Sequence, residues 1–164
     1  MELIKDRRNR SDLNIGEYLM IASGTGVFRP DEIDVLKEVL EDYGKSDTTY
    51  HVYEERSGGK LSGFAIFGRT PLTAFCWDVY WLVVDKACHG KGTGKRLMTA
   101  VEEAFAEENK KFVARVETSG RDTYEGARIF YEKLGYEKTG VIPHFYGQGD
   151  DLVMYHKNGA GSRV

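Results

Sequence analysis

The chain has 164 residues and a mass of 18.6 kDa, the size of one domain rather than several. Hydrophobic residues make up 41%, enough to bury one core, which excludes general disorder. A formal net charge of −3 gives no basic face for nucleic acid, and no apolar run approaches the ~20 residues needed to span a bilayer.

Residues 1–16 are polar and charged, and 158–164 are small or polar, so both ends of a single domain, 1–164, are expected to be loosely ordered. The short apolar run 18–23 reads as a strand closed by Gly24-Thr25-Gly26. Arg29-Pro30-Asp31-Glu32 opens a helix over 31–43, with Ile33, Leu36, Leu40 and Tyr43 at helical spacing. It is the one helix expected before a hairpin, whose strands 48–55 and 61–68 are joined by Arg56-Ser57-Gly58-Gly59-Lys60. After Thr70-Pro71 comes a longer strand, 74–85. Its continuous run Trp81-Leu82-Val83-Val84 predicts cover on both faces.

A glycine cluster then opens a helix. Leu97, Met98, Val101, Ala104 and Phe105 form its apolar stripe, and Arg96, Glu102, Glu103 and Glu107 are expected to face out. A strand over 111–117 leads to a helix over 122–134, with Ala127, Phe130, Tyr131 and Leu134 on one face and Gly135 as its stop. Two last strands, 136–142 and 151–156, are joined by the loop 143–150. The sum is an α/β chain with a mixed sheet and helices on its faces. The charged start of the chain is unlike a secretory signal, and Cys76 and Cys88 lack a paired motif, so a cytoplasmic, reduced protein is expected. His51 and His144 have no metal-ligand spacing, so no metal is expected.

The most informative stretch is Cys88-His89-Gly90-Lys91-Gly92-Thr93-Gly94-Lys95-Arg96. Glycines alternate where a buried strand turns into an amphipathic helix. They permit positive φ and close approach of another molecule, and the free N–H groups of the first helical turn attract an anion. Lys91 and Lys95 add charge, so a phosphate or pyrophosphate is the expected guest. The P-loop pattern fails, because it requires Gly at His89 and Ser or Thr at Arg96. The dinucleotide fingerprint fails as well, because it requires Gly at Lys95 or at Leu97.

What the stretch resembles is the pyrophosphate loop of the GNAT superfamily of acyl-CoA-dependent N-acyltransferases. That signature is Gln or Arg, two residues, Gly, one residue, then Gly or Ala. His89 to Gly94 matches it except that His89 stands for Gln or Arg. The similarity extends upstream to Trp81-Leu82-Val83-Val84-Asp85 and downstream to Ala127-Arg128-Ile129-Phe130-Tyr131-Glu132-Lys133-Leu134-Gly135-Tyr136. Tyr124 lies near the place where many members carry Asn, and the stretch 118–123 is longer than usual.

The resemblance implies a mixed, mostly antiparallel twisted sheet flanked by helices, whose central parallel strands (74–85 and 111–117) splay to admit CoA. It implies acetyl-CoA as co-substrate, held by Leu82, Val83 and Val84 along the pantetheine arm, by His89, Gly90, Lys91, Gly92, Thr93, Gly94 and Lys95, and by Tyr124. The acetyl group passes directly to a primary amine, carried by a small molecule, a peptide or a protein, without an acyl-enzyme. Tyr131 aligns with the family tyrosine near the CoA sulfur and is the candidate general acid. Asp78, Tyr80 and Glu117 are candidate bases, and water-mediated deprotonation stays open beside them. Phe145, Tyr146 and Asp150 lie where related enzymes meet the acceptor, and aromatic rings beside carboxylates suit a cationic amine; a plain hairpin turn is the competing reading. Dimers are common in the family, so a homodimer is admitted. A non-catalytic acyl-CoA-binding module of the same fold is the rival, and a nucleotide-binding protein is the third reading.

Overall fold

A computed structural model describes residues 1–6, 10–45 and 47–160. Seven strands hydrogen-bond in the order β1-β2-β3-β4-β5-β7-β6. The chain divides into two compact units, Met1–Gly68 with Trp81–Val101, and Arg69–Tyr80 with Glu102–Val164. No helix of the described residues is long and apolar enough to cross a membrane.

The first unit begins with β1 (Glu2–Lys5), α1 (Ile15–Gly24) and α2 (Pro30–Tyr43). Within the stretch 1–16, expected to be loosely ordered, Glu2–Lys5 is a strand paired antiparallel with β2 (His51–Ser57), from Glu2↔Arg56 to Lys5↔Tyr53, and 15–16 start a helix; 7–9 lie outside the described residues. The strand expected over 18–23 is instead most of α1. Leu, Met and Ala favour a helix, and the helix buries Tyr18, Ile21 and Ala22 at i, i+3 and i+4. Two helices, not one, thus precede the hairpin. Pro30 starts α2 as expected, and the Arg29 N–H donates to the Glu32 carboxylate at 2.7 Å. Its Leu36, Leu40 and Tyr43 join Tyr18, Ile21, Phe64, Ile66 and Val83 in one apolar cluster.

The expected hairpin joins β2 to β3 (Lys60–Arg69) through Gly58 and Gly59, whose φ of 57° and 78° fit a two-residue turn. Residues 61–68 of β3 are all buried, so the strand is covered on both faces. Adjacent strand residues point to opposite faces. Glu54 is accordingly reached by the Tyr18 hydroxyl and by Arg56, which also pairs with Glu17 on α1, whereas Glu55 is reached by Thr93 and Arg96. Gly63 lies close under the end of β4 (Cys76–Val84): a Cβ there would sit 2.8 Å from the Val83 carbonyl and 3.0 Å from Thr93 Cγ2. Gly63→Ala is expected to cost about 1–3 kcal/mol, the range for overpacking a filled core. A lower urea midpoint at unchanged m value would report it.

The second unit holds the first half of β4, the later part of α3 (Thr93–Glu108), β5 (Lys111–Ser119), α4 (Glu125–Lys133), β6 (Glu137–Gly147) and β7 (Asp150–Ala160). β4 and β5 run parallel, as expected, with pairs from Cys76↔Val113 to Val79↔Val116. β5 pairs antiparallel with β7 over its full length, from Lys111↔Ala160 to Ser119↔Leu152. Residues 158–160, expected in a loose tail, are thereby strand; 161–164 lie outside the described residues. The helix expected over 122–134 begins as a short 3-10 turn, Asp122–Tyr124, before α4. Trp77 stacks on Phe105 at 4.9 Å, and Phe105 meets Phe112 edge-on at 5.5 Å, as apolar stripes predict. Much of the loop expected over 143–150 is strand, because β6 runs on to Gly147 before the turn to Asp150.

Candidate active site

The strand-to-helix turn of the first unit is built by local hydrogen bonds. Val83 is buried, while Leu82 and Val84 are half-buried. The Asp85 N–H donates to the Ser62 carbonyl at 2.9 Å, and its carboxylate accepts from the Ala87 N–H at 2.9 Å, capping the 3-10 turn Lys86–Cys88. His89 Nε2 lies 2.9 Å from the Val84 carbonyl. A carbonyl oxygen only accepts, so the ring donates there, and His89 ties the loop back to the strand end. Gly90 and Gly92 take φ of 73° and 82°, the left-handed region where a side chain is strained. α3 then starts at Thr93 and contains Gly94 in its first turn. The first N–H groups of a helix have no intrahelical acceptor, and Lys91 and Lys95 are exposed beside them.

Two residues of this turn differ from expectation. Thr93 is buried, and its hydroxyl donates to Glu55 at 2.9 Å, so its side chain faces the sheet. Arg96, expected to face out, folds onto the buried Glu55 in a two-pronged pair, Nε at 2.7 Å and Nη2 at 2.8 Å. Its Nη1 donates to the Lys91 carbonyl at 2.9 Å and its Nη2 to Thr93 at 3.2 Å. The hydrogen bonds from Arg96 hold the Glu55 carboxyl below the ordinary carboxylate range. A depressed carboxylate contributes stability above its unfolded value, and the contribution is lost as pH falls through the folded one. Glu55 was not legible as a site residue, since its partners are 38 and 41 residues away.

The second unit carries the other expected residues. Tyr131 on α4 is buried with its ring edge-on to Phe130 at 5.6 Å and to Tyr136 at 5.7 Å. Burial pushes its hydroxyl pKa well above the ordinary value, so it stays protonated. Tyr124 is buried at the start of α4, with the Arg121 guanidinium 5.2 Å from its ring centre. Asp78 is buried and accepts from Arg115 Nε at 2.6 Å and from the Thr70 hydroxyl at 2.8 Å. Asp78 and Arg115 are also partners in the parallel register, so this carboxylate fastens β4 to β5 with both oxygens engaged. Tyr80 and Glu117 are exposed, Glu117 with Arg115 Nη1 at 3.4 Å.

Phe145 and Tyr146 are exposed and meet edge-on at 5.0 Å. Asp150 does not accompany them. It is buried, accepts from the Ser119 hydroxyl and pairs with Arg121 at 3.2 Å, because the β6–β7 turn is pinned to the end of β5. The Gly120 N–H, which donates to the Asp151 carbonyl at 2.8 Å, completes that pinning. The structure thus places Asp150 as a fastening between β7 and the β5–α4 turn, away from the two exposed rings in environment.

Residues 46–138, more than half of the chain, match the acetyltransferase (GNAT) domain family, and the chain belongs to that family. N-alpha-acetyltransferase RimI of Mycobacterium tuberculosis is 32% identical over 99 residues, a match that spans 58% of this chain and 58% of that protein. A protein of Desulfovibrio desulfuricans, described as an acetyltransferase of the GNAT family, superposes with a TM-score of 0.84 at 28% identity, over 95% of this chain and 98% of that one. An aminoglycoside 6'-N-acetyltransferase complexed with coenzyme A shares the fold at 18% identity, with a TM-score of 0.70 over 100% of both chains.

Proposed function

We propose that this protein transfers the acetyl group of acetyl-CoA to a primary amine by direct attack in a ternary complex. The observation that carries the reading is the turn at residues 89–95: two left-handed glycines bring the chain to the N-terminus of a 16-residue helix flanked by exposed Lys91 and Lys95. Diphosphate oxygens fit first-turn N–H donors, and the absence of side chains at Gly90 and Gly92 lets them come close. The coenzyme A bound by the aminoglycoside acetyltransferase of the same fold supports this choice of anion.

The thioester supplies an activated carbonyl carbon. The amine nitrogen forms the new C–N bond, the C–S bond breaks, and the sulfur leaves as thiolate needing a proton. Tyr131 is the donor in this reading, since burial keeps its hydroxyl protonated at working pH. Backbone groups of Leu82, Val83 and Val84 hold the pantetheine arm, and Tyr124 borders it. Asp78 is engaged by Arg115 and Thr70, so the amine proton passes to water or to the exposed Tyr80 or Glu117. The exposed rings of Phe145 and Tyr146 suit a cationic acceptor. A small polyamine and a peptide N-terminus both have that chemistry, in line with the acceptors named for the aminoglycoside and N-alpha relatives.

The test is release of free thiol from acetyl-CoA in the presence of a panel of polyamines, aminoglycosides and peptides with free N-termini. Thiol release that depends on one class of amine supports the reading. Coenzyme A binding without thiol release on any member would make the chain a non-catalytic acyl-CoA-binding module.

A further inference from the structure

Glu55 and Arg96 form a two-pronged ion pair beside the start of α3, and neither has a part in the proposed reaction. The donors of Arg96 are already committed within the protein. Nε and Nη2 hold the two oxygens of Glu55, Nη1 holds the Lys91 carbonyl, and Nη2 also reaches Thr93. A planar guanidinium with five N–H groups has little left for a phosphate in that pose. Its charge is also matched by a carboxylate on the spot, so the pair adds almost nothing to the field at the turn. What the pair does add is geometry. Lys91 lies between the two left-handed glycines, Thr93 is the first residue of α3, and both are tied through Arg96 to a carboxylate buried on β2.

We propose that Glu55 is a positioning residue of the acyl-CoA loop: through Arg96 and Thr93 it fixes the path of residues 91–93, and so the direction of the first N–H groups of α3, by shape rather than by charge. The proposal rests on the reading of residues 89–95 as the seat of the coenzyme A diphosphate. Charge alone and positioning make opposite predictions here. Glu55 is a negative group close to where an anion binds, so removing its charge strengthens binding if Coulomb attraction is what matters. It weakens binding if the carboxylate serves to hold the loop, since the N–H donors then sample directions that miss the oxygens.

The experiment is calorimetric titration of coenzyme A into the full chain, wild type beside Glu55→Gln and Arg96→Lys, well below the melting temperature of each. Glu55→Gln leaves every positive charge in place, and Arg96→Lys keeps the charge while losing the fork that spans Glu55 and the Lys91 carbonyl. Each variant is expected to bind about tenfold more weakly, as for the loss of one charge-assisted contact. For Arg96→Lys the slope of affinity against salt should not change, because the net charge at the turn is the same. Equal or tighter binding by Glu55→Gln overturns the proposal, and so does unchanged binding by Arg96→Lys. A role in stability alone would lower the melting temperature and leave the dissociation constant where it was, which also overturns it. If Glu55→Gln does not fold, Arg96→Lys decides. Failure of the wild type to bind coenzyme A is a different result: it removes the reading of the loop itself.

Discussion

Replacing Gly92 by valine is expected to abolish measurable binding of coenzyme A while the chain stays folded. Gly92 sits at φ 82°, where a β-branched residue is a steric outlier costing about 1–2 kcal/mol or more. A Cβ there would also lie 2.8 Å from Arg96 Nη1, the group that donates to the Lys91 carbonyl. The valine therefore pushes away the side chain that holds the turn, and it would also fill the space proposed for the diphosphate. Circular dichroism should show the native spectrum with a melting temperature lowered by several degrees, since the strain is confined to an exposed turn. Unchanged affinity in this variant would remove the turn from the acyl-CoA site.

The second large effect concerns Tyr131→Phe. The substitution keeps the ring against Phe130 and Tyr136 and deletes only the hydroxyl, so the melting temperature should move little. If that hydroxyl protonates the departing thiolate, kcat falls by about 10²–10³-fold, within the usual range for a general acid. The dissociation constant for coenzyme A should stay within a factor of a few. A variant that turns over at the wild-type rate on its acceptor would make Tyr131 a packing residue, with the thiolate protonated by water.

The elements that could be read from residues alone are those whose signals are local. The Gly58-Gly59 turn, Pro30 at the head of α2 and the apolar stripe of α3 each lie within a few positions of one another, and the structure has them where they were expected. The alternating glycines of residues 90–94 are local in the same way, and the left-handed Gly90 and Gly92 and the start of α3 at Thr93 lie in the expected turn. Residues 18–23 misled because a dense apolar run has no visible period. Its helical identity is decided by Tyr18, Ile21 and Ala22 packing in the cluster that includes Phe64 and Val83. Asp150 misled, and Glu55 gave no signal, for another reason. Whether a carboxylate faces a substrate or is locked to arginine depends on partners far along the chain, Arg96 in one case and Ser119 with Arg121 in the other.

β6 carries one further consequence. It stands last in the strand order and exposes Val141, Ile142, Phe145 and Tyr146. A long edge of that composition is a template on which a stray strand of another molecule can stack, the first step towards fibrils. The register with β7 jumps from Ile142↔Leu152 to Gly147↔Asp150, so residues 143–146 stand against Asp151 alone. Within that bulge Pro143 has no N–H to offer, and His144, at φ 55°, directs its own N–H to the Asp151 carboxylate at 2.8 Å. The ladder an incoming strand would need is broken at its most apolar point. The resistance of this edge to stacking thus rests on a proline and an aspartate at the bulge.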